Sequence, residues 1–465
     1  MNPTRSCHRL DLLAGAMVAV LAALSMPVQA QDSGTSGAPS GAPSSTPSST
    51  PAGAPTSTAP TSSSTAFGTP DPSPYYIGAS QALTHDSNVY RSPNGPSDNY
   101  ASTSLFGGFD QPISRQRVFG RASVSLNRYQ EEKELNNTSY ALSTGLAWET
   151  INKLSGGLNL GLNRNLAAPA ASGSPVARRN IADTKSVDAV VRYGGASLLS
   201  LEGRVGYSSL DYSAPEYVTS ESKQTSGSLG LYYHPGGPLR LGVAARVNRT
   251  KTPQALFDPA TNSYQGNTIN GRNLDILADY NVTGLITANG RLSYTKQTYT
   301  NIGESDFSGL TGSVGVTWRP TAKTSVRFDA ARDAGFDTER YTSVVPGDTI
   351  NPLPSTTTGL YQNNRVTNSA GIGISYAATA KINATAGARY LRAKLVRTVV
   401  SQGTTVNVPD RADTAKSAFI GANYEITRNW SVSCNVSRED RDVSGPVRYS
   451  YTVNTLGCLT QLTLR

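Results

Sequence analysis

From Tyr75 onward, apolar and polar residues alternate along the chain. In residues 239–247, Leu239, Leu241, Val243, Ala245 and Val247 share one face, and Arg240, Gly242, Ala244 and Arg246 share the other. A repeat of two is that of a β-strand with one apolar face. Leu158, Leu160 and Leu162 alternate in the same way with Asn159, Gly161 and Asn163. So do Ile286, Ala288, Leu292 and Tyr294 with Asn289, Arg291 and Ser293, and Val314, Val316 and Trp318 with Ser313, Gly315 and Thr317. Eighteen such segments can be placed, at about 75–90, 98–111, 115–129, 136–150, 154–167, 180–194, 198–212, 221–234, 238–251, 268–282, 285–300, 304–318, 323–335, 364–377, 381–396, 411–425, 429–441 and 447–464.

The connections alternate in length. Short ones fall at Gln111-Pro112, Thr150–Asn152, Gly194-Gly195, Pro235–Gly237, Thr283-Gly284, Pro320-Thr321, Thr379-Ala380 and Thr427-Arg428. Longer ones lie between them, including 168–179, 252–267, 336–363 and 397–410. Short periplasmic turns with longer external loops are the asymmetry of outer-membrane barrels. Trp148, Tyr193, Tyr233, Tyr280, Trp318, Tyr376 and Tyr424 each precede a short turn on the apolar face. Aromatic rings at one level form an interfacial girdle, because their amphipathic bodies suit the headgroup region. A β-propeller, the rival architecture at a hairpin period near forty residues, needs four short strands per period, whereas each period here holds two long ones. The expected fold is therefore all-β: a transmembrane antiparallel up-and-down barrel of about eighteen strands, lying in the bacterial outer membrane.

Composition agrees with a wall that shares its interior with water. Of 465 residues only 37% are apolar and 16% charged, with 43 Gly and 23 Tyr. No apolar run reaches the length of a membrane-spanning helix. The formal charge of +9 contains no Lys/Arg block of the kind that marks a nucleic-acid site, so no nucleic-acid partner is expected. Residues 1–30 read as a secretory signal: Arg5 and Arg9, an apolar stretch from Leu12 to Leu24, and Val28-Gln29-Ala30 as the cleavage site. Residues 31–74 are almost entirely Ser, Thr, Pro, Gly and Ala and read as a disordered periplasmic leader, with the barrel occupying 75–465.

Eighteen strands leave an aqueous channel. Residues opposite the apolar face then line it: Arg121, Arg192, Arg204, Arg240, Arg246, Arg291, Arg327 and Arg389, with Glu149, Asp188, Glu202, Asp275, Asp279 and Asp329. Ion pairing across strands would absorb part of this charge, leaving at most a weak anion preference. A channel for sugars would add inward aromatics, and Phe119, Tyr129 and Tyr232 have that parity. The loop 336–363 is the longest; it could fold into the lumen or cover the external mouth.

Candidate chemistry is sparse. His85-Asp86 could form half of a surface protease or acyl-transferase site, but no nucleophile or second carboxylate can be tied to it, and His234 sits in a turn. No metal-ligand spacing, Walker loop or dinucleotide fingerprint occurs, so neither cofactor, metal nor catalysis is expected. Cys434 and Cys458 lie on the last two segments, as cross-strand neighbours about a hairpin at Ser444-Gly445-Pro446, and are expected to form a structural disulfide.

Two stretches carry a family resemblance: Thr84-His85-Asp86-Ser87-Asn88-Val89-Tyr90-Arg91, and Gly108-Phe109-Asp110-Gln111-Pro112-Ile113-Ser114-Arg115-Gln116-Arg117. Together they resemble the β-barrel porin family found with bacterial exopolysaccharide operons, over the span Tyr75 to Arg465. The resemblance implies an outer-membrane channel serving exopolysaccharide synthesis or export. Outer-membrane lipid is the partner expected of the barrel itself, and polysaccharide or small polar solutes and periplasmic export components are the further partners expected. A general diffusion porin and a non-transporting scaffold or adhesin are the alternatives.

Overall fold

A computed structural model describes residues 74–151, 153–167, 179–195, 197–258, 263–282, 285–300, 306–345, 355–401, 404–443 and 450–465. The signal segment 1–30, nearly all of the leader and the Ser444-Gly445-Pro446 turn lie outside these residues. The strands are β1 (Tyr75–Asp86), β2 (Asp98–Ile113), β3 (Gln116–Tyr129), β4 (Asn137–Glu149), β5 (Leu154–Leu166), β6 (Ile181–Tyr193), β7 (Leu199–Tyr212), β8 (Ser222–Tyr233) and β9 (Leu239–Asp258). They continue as β10 (Ser263–Val282), β11 (Ile286–Tyr299), β12 (Phe307–Thr321), β13 (Thr324–Val345), β14 (Ser355–Ala377), β15 (Ile382–Ser401), β16 (Thr404–Glu425), β17 (Trp430–Val443) and β18 (Tyr451–Leu464). Each pairs antiparallel with its sequence neighbours in one 18-stranded sheet. β18 closes on β1, from Ile77↔Leu464 to Asp86↔Thr455. Closure removes both sheet edges, which is what a strand protein needs in lipid, where no water can satisfy an open edge.

Register decides which face each residue takes. Leu274, Ile276 and Tyr280 pair with Ala245, Val243 and Leu239. All six turn outward, and Leu274 and Ile276 are 57% and 58% exposed. An exposed apolar belt running round a closed barrel is a lipid-facing surface. Trp148, Tyr193, Tyr233, Tyr280, Trp318, Tyr376 and Tyr424 lie on this outer face at the short-turn end, and all but Trp148 are exposed. Trp148 is half-buried because its ring lies over Gly156 of β5. Tyr75, Phe109 and Trp430 occupy the same face at the same end and extend the ring. They were missed because Tyr75 and Trp430 open their strands rather than close them, and Phe109 sits among turn-like residues.

Four boundaries move from the expected ones. The first turn is Ser114-Arg115, not Gln111-Pro112: Pro112 pairs with Arg117 and Ile113 with Gln116. Ser114 takes the left-handed backbone (φ 56°) that so tight a turn requires. The long loops also shrink. β13 and β14 stay paired through Phe336↔Asn364 to Val345↔Ser355, so most of 336–363 is strand. The β15–β16 hairpin likewise runs to Ser401↔Thr404, and β9–β10 to Asp258↔Ser263. Thr342, Val344, Val345 and Thr356–Thr358 are β-branched and continue the pleat, which outweighs the prolines nearby.

Candidate functional site: the inner wall

Register places the whole sequence-derived set of inner charges on the inner face. It also sorts them into paired and free groups. Glu202 on β7 is the hub of the first group. Its carboxylate accepts from Arg192 Nε at 2.7 Å, lies 3.4 Å from Arg204 Nη2, and lies 3.3 Å from Arg240 Nη2. Arg240 also reaches Asp279 at 3.5 Å, and its guanidinium sits 3.7 Å above the Tyr232 ring centroid. Period-two strands make this possible, because alternate residues of β6 to β10 meet on one surface. Farther up the same wall, Arg246 forms a two-point contact with Asp275, at 2.9 and 3.1 Å. Arg291 pairs with Asp333 of β13 at 3.2 Å. Asp333 was not singled out from sequence, since nothing local indicates that two strands away it meets an arginine.

The second group stands on open wall. Among the described residues, Arg121, Arg327 and Arg389 have no ion-pair partner, and neither do Glu149, Asp188 and Asp329. Asp329 and Arg389 flank Gly371 from either side, because both are its cross-strand partners. Arg121 borders a shallow groove with Ser143, Asn163, Thr184 and Ser186.

Several inner aromatics lean over glycines of the neighbouring strand. Gly78 is opposite Phe106, Gly108 opposite Tyr76, Gly145 opposite Phe119 and Gly387 opposite Phe419. A Cβ added at any of these glycines would strike the facing ring. The missing side chain thus gives each ring a bed to lie on. Tyr76 and Phe106 are near neighbours, with centroids 6.5 Å apart, on adjacent strands next to β3 with Phe119. Beside them Arg117 forms a two-point ion pair with Asp110, both half-exposed, and its guanidinium lies 5.6 Å from the Phe119 ring. The other two aromatics of inward parity are otherwise engaged. Tyr129 stacks on Tyr100 at 4.8 Å, and Tyr232 is covered by Arg240.

The Thr84–Arg91 stretch folds inward at the long-loop end. Asp86 accepts from the Asn88 backbone N–H and pairs with Arg91 at 2.8 Å, both almost fully buried. Val89 and Tyr90 pack with Leu135, Tyr129 and Leu166. The Tyr90 hydroxyl lies within hydrogen-bonding distance of both Glu132 and Glu134. Burial, then those two carboxylates, pushes the Tyr90 phenol pKa above its ordinary range. His85 faces outward and contacts Asn99 Oδ1 at 2.9 Å, so the adjacent His85 and Asp86 point to opposite faces and form no dyad. His234 Nε2 lies 3.0 Å from Ser200 Oγ, while Asp279 turns its carboxylate to Arg240. Burial lowers the His234 pKa. Cys434 and Cys458 are directly opposed and disulfide-bonded on the outer face.

No family model and no curated protein matches the chain. Among solved structures, it is similar to the siderophore receptor PiuA from Acinetobacter baumannii (11% identity, 83% of this chain and 82% of that one, TM-score 0.43). It is also similar to OpdK from Pseudomonas aeruginosa, solved with vanillate (10% identity, 84% and 98%, TM-score 0.40). The FrpB iron transporter from Neisseria meningitidis is a third (9%, 84% and 82%, 0.39). The strand register and the lipid-facing belt decide the class without them. The chain is a bacterial outer-membrane β-barrel. A barrel of this strand number encloses an aqueous lumen with a polar wall.

Proposed function

We propose that the barrel is a channel for carbohydrate, and that its duty is passage of a secreted polysaccharide. The observation that carries this reading is the cluster of Tyr76, Phe106 and Phe119, rings leaning over inner-wall glycines beside the Asp110–Arg117 pair. A ring leaning over an inner-wall glycine borders the lumen with apolar surface. Sugar rings have apolar faces that stack on such surfaces and hydroxyls that bond to paired carboxylate and guanidinium groups. The resemblance of Gly108–Arg117 to exopolysaccharide-associated porins supports the same substrate class, since Gly108, Asp110 and Arg117 belong to this cluster. The test is single-channel recording with cellohexaose, a neutral probe blind to wall charge. Stepwise conductance with reversible sugar block is expected, and the Phe106→Leu, Phe119→Leu double variant should shorten the block. Conductance without any block would favour a general diffusion porin, which the unpaired charges of β13–β15 would also suit.

A further inference from the structure

The outer face of β8–β11 changes character above the apolar belt. On β9 the outward residues run Leu239, Leu241, Val243, Ala245, Val247, and then Arg249 and Lys251. At about 3.4 Å per residue and a tilt near 40°, Leu239 to Arg249 spans roughly 25 Å, the height of a barrel's hydrocarbon belt. Lys223 of β8, Arg272 of β10 and Lys296 of β11 reach the same level, and all five cations are exposed. This is the long-connection end, hence the outer leaflet.

Two features of this arc call for an anion. First, like charges are set directly opposite: Lys223↔Lys251 and Arg272↔Lys296 are cross-strand partners. Such pairs are destabilising by themselves. Secondly, among the described residues no carboxylate side chain lies on the outward face of these four strands, and none of the five cations has an ion-pair partner. The acidic partners of this wall, Asp275 and Asp279, are on the inner face.

We propose that the outer face of β8–β11 binds the phosphate headgroup of an outer-leaflet glycolipid. The acyl chains would lie on Leu274, Ile276 and Val243, and the phosphates would bridge the opposed cations. Arginine forks and lysine ammonium groups both suit phosphate. The position favours a lipid over a free anion, because the cations border the belt on which acyl chains rest.

The test uses the folded full chain in detergent, with native mass spectrometry to count retained lipid and heat-modifiable migration to read stability. The probes are bis-phosphorylated lipid A, dephosphorylated lipid A and inorganic phosphate. Lipid A should be retained and should raise the temperature at which the folded band is lost. The K223Q/K251Q/R272Q/K296Q variant removes two repulsive pairs, so it should fold. It should retain lipid A at least roughly tenfold less, since each cation near an anionic lipid surface contributes a severalfold factor. Lys251→Arg, which keeps the charge, should behave as the parent chain. Equal retention by the quadruple variant, or equal retention of dephosphorylated lipid A, would overturn the proposal. Equal protection by inorganic phosphate would also overturn it, in favour of a free-anion site.

Discussion

Glu202→Gln is the perturbation that most directly probes the inner wall. The Glu202 side chain is only 7% exposed and faces three guanidinium groups at 2.7, 3.4 and 3.3 Å. Coulomb's law at such distances with an effective dielectric near 20 gives about 5 kcal/mol for one pair, an upper bound before desolvation is counted. Leaving one side of a buried pair without its partner costs about 3–5 kcal/mol. Glutamine has the same shape and its amide oxygen can still accept from Arg192 Nε, so the lower end, about 3 kcal/mol, is expected. The remaining cluster would hold three arginines against Asp279 alone. A lower urea midpoint for loss of the folded band should therefore accompany a shift of reversal potential toward anions, recorded at low salt where screening is weakest. Asp188→Asn is the comparison, because it neutralises an unpaired carboxylate on the same face. It should move the reversal potential with little change in the midpoint. Equal losses of stability in the two variants would refute the hub assignment.

The same sorting predicts where charge reversal is tolerated. Arg327→Glu with Arg389→Glu should turn selectivity toward cations and keep the folded band, whereas Arg240→Glu with Arg246→Glu should lose stability, since both residues are paired; reversal potentials and urea midpoints check each. Leu292→Arg on the lipid-facing belt should cost about 2–4 kcal/mol in urea unfolding from lipid, whereas Asn289→Arg, on the inner face of the same strand, should keep the midpoint and alter selectivity instead. Peptide mass spectrometry without reductant should find Cys434 linked to Cys458, and the double Cys→Ala variant should lose about 3 kcal/mol while still folding, on a closed loop of sequence separation 24.

Much of the fold was legible because a strand's faces repeat every two residues. That repeat sorts Leu239 from Arg240 without any knowledge of neighbours, and it places the aromatic girdle as well as the strands. Strand ends were less legible. Pro112 looks like a turn residue, yet the turn needed left-handed backbone at Ser114. Residues 336–345 look like loop because of length and the prolines that follow, yet they pair to Val345. The inward course of the Thr84–Arg91 stretch was not legible either, because it depends on Leu135 and Glu134, more than forty residues away.

Parity reveals which face a charge takes but not its cross-strand partner, and this difference governs the electrostatics of the barrel. Counting the sequence-derived set gives more arginine than carboxylate inside, which suggested weak anion preference. The folded wall adds the ion pairs Asp333–Arg291, across two strands, and Asp110–Arg117, on the diagonal of β2 and β3, and it gathers Arg192, Arg204 and Arg240 around Glu202. The groups left free, Arg121, Arg327 and Arg389 against Glu149, Asp188 and Asp329, balance. With Asp333 counted, this set carries only a small net charge, which suits a neutral or mixed polar cargo better than a simple anion. Five exposed cations without an ion-pair partner among the described residues lie on the outward face of β8–β11, spread over four strands so that no run of Lys and Arg marks them. Charge that reads as diffuse along the sequence becomes a compact surface once the strands are side by side, and that surface faces the membrane.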